Sequence, residues 1–165
     1  MQSFFIWLEA TSLSVWVRES TSVFGFPGIL TAHAIGMGLA VGVNAAMALL
    51  LLGFAPAVPR HELRRFVPVM WLGFWMNTIS GVLLLLGYPT KALTNPLFYL
   101  KLLLIGVGMW LFVQMAREMF DKPAAGPPAE RSGRLLGMAS LACWAGAITA
   151  GRFLAYTATR IMATW

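Results

Sequence analysis

The feature that most constrains this chain is a series of apolar segments too long for the core of a small soluble domain. A bilayer's hydrocarbon core is about 30 Å thick, so a helix needs roughly 20 apolar residues to cross it. Four segments meet or approach this length: about 26–54, 66–88, 97–115 and 135–156. Only 11% of the residues are charged, which is too few for a soluble surface. The sequence therefore predicts one all-α domain, an integral-membrane bundle of four transmembrane helices.

The segment 3–20, which precedes the first span, is too polar to cross a membrane. Its aromatic residues, Trp7 and Trp16 among them, alternate with charged residues such as Glu9 and Arg18. This mixture is typical of an amphipathic helix that lies in the membrane interface, with its aromatic rings at the level of the lipid headgroups. No Lys or Arg precedes the short apolar run at its start, so we do not expect a cleavable signal peptide.

The basic residues between the spans predict how the protein is oriented, because cytoplasmic loops carry an excess of Lys and Arg. One side has seven: Arg60, Arg64, Arg65, Arg117, Lys122, Arg131 and Arg134. The other side has three: Arg18, Lys91 and Arg160. We therefore expect both termini on the non-cytoplasmic side. Orientation also accounts for the net charge of +6, and no basic stripe interleaved with aromatic residues suggests nucleic-acid binding.

Three ionisable side chains fall inside the predicted spans: His33, Lys101 and Arg152. Such groups are costly in lipid and mark a functional site by default. Each lies within about two helical turns of the non-cytoplasmic end of its span, so all three are expected at a similar depth. We predict that they converge on one polar pocket together with Tyr156, which follows Arg152 by one helical turn.

The N-terminal helix lies on the same side and adds three charged residues to the predicted ligand-binding set: Glu9, Arg18 and Glu19. Simpler explanations stay open for each in-span residue. Lys101 could extend to the interface, and Arg152 could pair with a carboxylate of the N-terminal helix. His33 could form hydrogen bonds between helices without binding a ligand. Asn44, Asn77 and Ser80 are expected to face the bundle interior, where they find partners.

Several kinds of site are excluded. The single cysteine, Cys143, allows no disulfide or Cys-x-x-Cys metal pair within one chain and is expected to be a buried apolar residue. His61 lies in a cytoplasmic loop, so it cannot share a metal or a bis-histidine haem with His33 in a monomer. No hydrolase motif, phosphate loop or dinucleotide fingerprint occurs. An enzyme acting alone is therefore possible only if a cofactor carries the chemistry.

The full-length motif pattern resembles an uncharacterised family of small bacterial four-helix inner-membrane proteins. The motifs are Trp7-Leu8-Glu9, Arg18-Glu19-Ser20, Ala32-His33-Ala34-Ile35-Gly36, Asn95-Pro96-Leu97-Phe98-Tyr99-Leu100-Lys101-Leu102, and Gly151-Arg152 with Tyr156. A weaker similarity reaches the copper-resistance D-type membrane domains and the HemJ-type haem proteins, which place a histidine on an early span and an aromatic-x-Lys-Leu motif at the start of a later one. The HemJ-type resemblance implies a haem held by His33, with Lys101 nearby. The chain lacks the further intramembrane histidines of these families.

Three functions stay open at this point. The first is an electron-transfer or tetrapyrrole-binding protein in which His33 is the metal ligand of a b-type haem. Lys101 and Arg152 would then pair with the haem propionates, and Met37 is a conceivable second axial ligand.

The second function is a non-enzymatic subunit that anchors or assembles a protein partner on the periplasmic face. The third is a pocket for an anionic or quinone-like molecule, or a transport protomer in a homo-oligomer. Gly38 and Gly42 form a small-residue face that suits either dimerisation or packing within the bundle. All three functions place the chain in the bacterial inner membrane, with the lipid bilayer as its surroundings.

Overall fold

The computed structural model describes residues 7–121 and 126–162. Within these ranges the chain is helical and contains no β-strand, which confirms the all-α fold class. We number the α-helices in chain order and name the single 3-10 helix separately. They are α1 (Ser12–Glu19), α2 (Phe26–Leu52), the 3-10 helix (Arg60–Phe66), α3 (Val67–Gly87), α4 (Pro89–Leu93), α5 (Pro96–Phe120) and α6 (Gly126–Met162).

Three of the described helical segments are long and apolar enough to cross a membrane: Phe26–Leu52, Arg60–Gly87 and Pro96–Phe120. Their mean hydropathy values are 2.1, 1.7 and 1.9. They contain the first three predicted spans almost entirely. The fourth predicted span, 135–156, lies inside α6, a helix of 37 residues. Its passage through the membrane stays a prediction.

Local sequence signals set where the helices begin and end. The Asn95 side chain accepts a hydrogen bond of 3.0 Å from the backbone N–H of Leu97, and Pro96 occupies the first turn of α5. This cap stabilises the helix start that the sequence predicts. Helix α2 ends at Gly53, whose φ of +87° lies in the left-handed region that glycine adopts without strain.

Helices α2 and α3 touch backbone to backbone at two glycines. A Cβ atom on Gly36 would lie 2.6 Å from the backbone nitrogen of Asn77, and one on Gly73 would lie 2.7 Å from the nitrogen of Ala40. A Cβ atom on Gly38 or Gly42 would meet no heavy atom of another helix within 4 Å in the described part of the chain. They therefore do not pack within this bundle. Each residue turns a helix by about 100°, so Gly36 and Gly38 face nearly opposite sides.

The main apolar core lies at the end of the bundle that carries the 3-10 helix. Leu63 of that helix is buried between residues of α2, α3 and α5. The other buried members are Met47, Ala48, Leu51, Met70, Phe112, Met115 and Met119. The opposite end, where α2 begins, is packed more openly and holds the cavities described below.

The predicted N-terminal helix 3–20 is interrupted in the structure. Residues 7–9 are helical, α1 follows from Ser12, and residues 3–6 lie outside the described ranges. Thr11 caps α1, because its Oγ1 accepts a hydrogen bond from the backbone N–H of Ser14 at 3.4 Å. Val17 is fully buried, whereas Trp7 and Trp16 are exposed. This division into a packed and an exposed apolar face suits the predicted interfacial position.

Candidate ligand-binding cavity

Two polar contacts with α3 fix the imidazole of His33, and a third holds its backbone. Its Nδ1 lies 3.1 Å from the backbone oxygen of Asn77 and 3.1 Å from Oγ of Ser80. The Asn77 side chain donates in return to the backbone oxygen of His33 at 2.8 Å. Because a carbonyl oxygen can only accept, we assign the ring proton to Nδ1. The neutral ring then carries its lone pair on Nε2.

Glycine at position 81 makes room for this imidazole. A Cβ atom there would lie 3.2 Å from Cε1 of His33, so an alanine would require the ring to shift by a few tenths of an ångström. The hydroxyl of Ser80 is itself buried and donates to the backbone oxygen of Met76 at 2.6 Å. The inward position predicted for Asn77 and Ser80 is thereby confirmed, and both serve to orient His33.

Two cavities meet at His33. The outer cavity, nearer the start of α2, has a volume of about 410 Å³, and the inner cavity has a volume of about 490 Å³. Five residues line both cavities: His33, Gly81, Leu85, Phe98 and Lys101. Most of the remaining lining is apolar. The arrangement suits a largely apolar ligand that few polar groups orient.

Lys101 reaches the same cavities from α5. A Cβ atom on Gly151 of α6 would lie 3.5 Å from Cδ and Cε of Lys101 and 3.6 Å from Nζ, so the lysine side chain runs alongside this part of α6. The ammonium charge lies near enough to act on the imidazole of His33. Among the described residues, no carboxylate lies within ion-pair distance of Lys101.

The structure brings together His33 and Lys101 but not Arg152. The Arg152 side chain is exposed and belongs to the lining of neither cavity. Its neighbour Gly151 faces Lys101, and a rotation of about 100° per residue carries Arg152 away from that face. Tyr156 is 61% exposed and also lies outside both linings.

The charged residues of the N-terminal segment tie that segment to α3 and α4 beside the outer cavity. Arg18 donates to the backbone oxygen of Gly87 at 3.2 Å and to that of Glu9 at 3.0 Å. The Glu9 carboxylate accepts a 2.7 Å hydrogen bond from Oγ1 of Thr90. Glu19 is exposed. Glu9 and Arg18 therefore position the wall of the cavity and do not line it.

Two residues that line the cavities were not predicted to do so: Lys91, which was counted only among the loop charges, and Trp144, which no sequence pattern singled out. Lys91 of α4 lines the outer cavity, with Nζ 5.1 Å from the centre of the Tyr88 ring. Trp144 of α6 lines the inner cavity and is 7% exposed, and its Nε1 has no hydrogen-bond partner. The sequence could not predict that Lys91 lines the cavity, because its position depends on the short helix α4.

The inner cavity extends to the outer surface of the bundle between α3 and α5. Val82 of α3 and Leu102 of α5 line it, and they are 49% and 50% exposed. Both helices belong to the segments long enough to cross a membrane, so this opening faces the zone that the hydrocarbon would occupy.

Other metal-binding chemistry finds little support in the described residues. They contain no group of three or more His, Cys, Asp or Glu side chains that could hold a metal ion. Cys143 is buried, as expected, and its Sγ donates to the backbone oxygen of Leu104 at 2.9 Å. His61 is exposed in the 3-10 helix, 3.5 Å from the Glu62 carboxylate. A metal-containing ligand would therefore have to bring most of its own donor atoms.

Comparison of the chain with protein-family models, with curated proteins and with solved structures found no match, so its function is inferred from the cavity itself.

Proposed function

We propose that this chain is a four-span protein of the bacterial inner membrane that binds a redox-active ligand, haem b, in the two adjoining cavities. One observation carries the proposal: His33 donates from Nδ1 to a backbone carbonyl while its ring borders an apolar space. Histidines that ligate metals usually donate their other ring N–H in this way, which fixes the tautomer and strengthens the ligating nitrogen. Bound haem would supply one-electron chemistry.

The surrounding residues fit such a group in part. Phe98, Leu85 and Met109 offer apolar contacts, and Lys101 offers a charged donor for a propionate. Met37 does not suit the second axial position. It follows His33 by four residues on α2, so both side chains project from one face of the helix and cannot approach a ring from opposite sides. The site therefore supports a haem with His33 as its one ligand from α2.

The absorption spectrum of the purified full-length protein tests this proposal. We expect a Soret band after expression with added haem precursor, or after haem is added to the protein in detergent. Because His33 is the only axial ligand that we assign, reduced protein should also bind carbon monoxide and shift the band. A protein with no Soret band after haem supplementation would rule out the proposal.

The exposed basic residues support the proposed orientation. Arg60, Arg64 and Arg65 lie on the 3-10 helix, at the end of the bundle opposite His33. In a Cys143→Ala background, a cysteine replacing Thr94 should react with a membrane-impermeant maleimide in intact cells. A cysteine replacing Arg64 should react only after lysis. The reverse labelling pattern would show that the chain has the opposite orientation.

A quinone-like molecule is the second candidate ligand, and the lining of the inner cavity favours it. Trp144 and Phe74 offer flat apolar contacts there, and Lys101 offers a donor for a ligand carbonyl. Organic extraction of the purified protein distinguishes the two ligands. Stoichiometric quinone in the extract of a protein without a Soret band would favour the quinone.

A further inference from the structure

The outer cavity is bordered by two cationic side chains and by no acidic one. Lys91 enters from α4 and Lys101 from α5. The remaining lining consists of His33, Tyr88 and apolar or glycine residues. The two side chains present like charges to one mostly apolar space, and burial removes part of the hydration of Lys101. Such a pair is stabilised when an anion binds between them.

The carboxylates in the described part of the chain do not supply this anion. Glu9 contacts α4, but its Oε1 accepts hydrogen bonds from Thr90. Glu19 is exposed on α1. In the part of the chain that the structure describes, neither lysine has a carboxylate within ion-pair distance.

The position of Lys91 is set by its surroundings. Its Nζ lies over the ring of Tyr88 at 5.1 Å, and that ring packs edge-on against Phe26 with 6.0 Å between centroids. The hydrogen bonds from Thr90 to Glu9 hold α4 to the N-terminal segment. A cation held in place in this way loses less freedom when it binds an anion than a mobile surface lysine does.

We propose that Lys91 and Lys101 together bind the acidic end of the ligand. The ligand is then an amphiphile with carboxylates at one end of a flat apolar body, and its apolar end points toward Met109 and Trp144 in the inner cavity. This inference rests on the proposed ligand site and adds Lys91 to it.

Metal-free protoporphyrin IX and its dimethyl ester test the inference. They share one apolar body and differ in the two carboxylates, and neither contains iron that His33 could ligate. Binding to the full-length protein in detergent is followed by porphyrin fluorescence. We expect the free acid to bind about tenfold more tightly than the ester, a ratio typical of one charge-assisted contact. Lys91→Gln and Lys101→Gln should each remove most of this preference.

Two control variants make the result specific. Arg152→Gln alters an exposed cation outside both cavities and should keep the preference for the acid. Lys91→Arg retains the positive charge and should also retain the preference for the acid. This variant separates loss of charge from misfolding. Equal affinity for acid and ester in the unaltered protein, or an unchanged preference in Lys91→Gln, would overturn the inference. A third outcome is a preference for the acid that depends on the two lysines, in a protein with no haem spectrum that depends on His33. That outcome would support this inference and exclude haem as the ligand.

Discussion

Replacing Gly36 with valine is expected to force α2 and α3 apart and to lower the free energy of unfolding by about 3 kcal/mol or more. The new Cβ atom would lie 2.6 Å from the backbone nitrogen of Asn77 and 2.8 Å from the backbone oxygen of Gly73. Backbone atoms of a packed helix cannot move aside as a flexible side chain can. Denaturant-induced unfolding in mixed micelles measures the change.

Gly38→Val is the matched control for this variant. It adds the same side chain to the same helix two residues later, at a position where a Cβ atom would meet no heavy atom of another described helix within 4 Å. Its unfolding free energy should therefore change by only about 0.5 kcal/mol. Similar losses in both variants would mean that α2 and α3 do not make their close contact at Gly36. A large loss in Gly38→Val alone would indicate that a partner outside this chain packs on that face.

Replacing His33 with alanine is expected to lower haem affinity at least about a hundredfold, since loss of an orienting neighbour alone costs tenfold to a hundredfold at metal sites. The spectrum of added haem should then resemble that of haem dissolved in detergent. Added imidazole should restore a ligated spectrum, because the removed ring leaves a space of its own shape. This rescue distinguishes a lost ligand from an unfolded protein.

His61→Ala provides the control, because this histidine is exposed at the other end of the bundle. It should leave the haem spectrum unchanged. If both histidine variants behave like the unaltered protein, His33 is not an axial ligand. Normal growth of a His33→Ala strain, together with a stable co-purifying protein, would then favour the non-enzymatic subunit.

The positions of the long apolar helices along the chain could be predicted from the sequence, but the direction in which each side chain points could not. The Asn95-Pro96 pair predicts the start of α5, and the apolar runs predict three segments that the structure shows as long helices. His33 and Lys101 indeed border one cavity. Arg152 was predicted at a similar depth, yet its side chain is exposed and lines neither cavity.

This difference has a physical origin. Rotation about a helix axis is set by the neighbouring helices. A helix with as few polar residues as α2 presents no continuous polar face from which that rotation could be predicted. Gly36 and Gly38 illustrate the point, because either would allow close packing and only contact with Gly73 selects the first. The position of Lys91 is still harder to predict, because it depends on how the short helix α4 packs against the N-terminal segment.

The half-exposed residues Val82 and Leu102 give the inner cavity an opening toward the bilayer and not toward water. A molecule that dissolves in hydrocarbon can pass between these two side chains without first entering water. The concentration that matters for occupancy is then the one inside the bilayer, which partitioning raises far above the aqueous value. For such a ligand, a modest intrinsic affinity is therefore sufficient to keep the site filled.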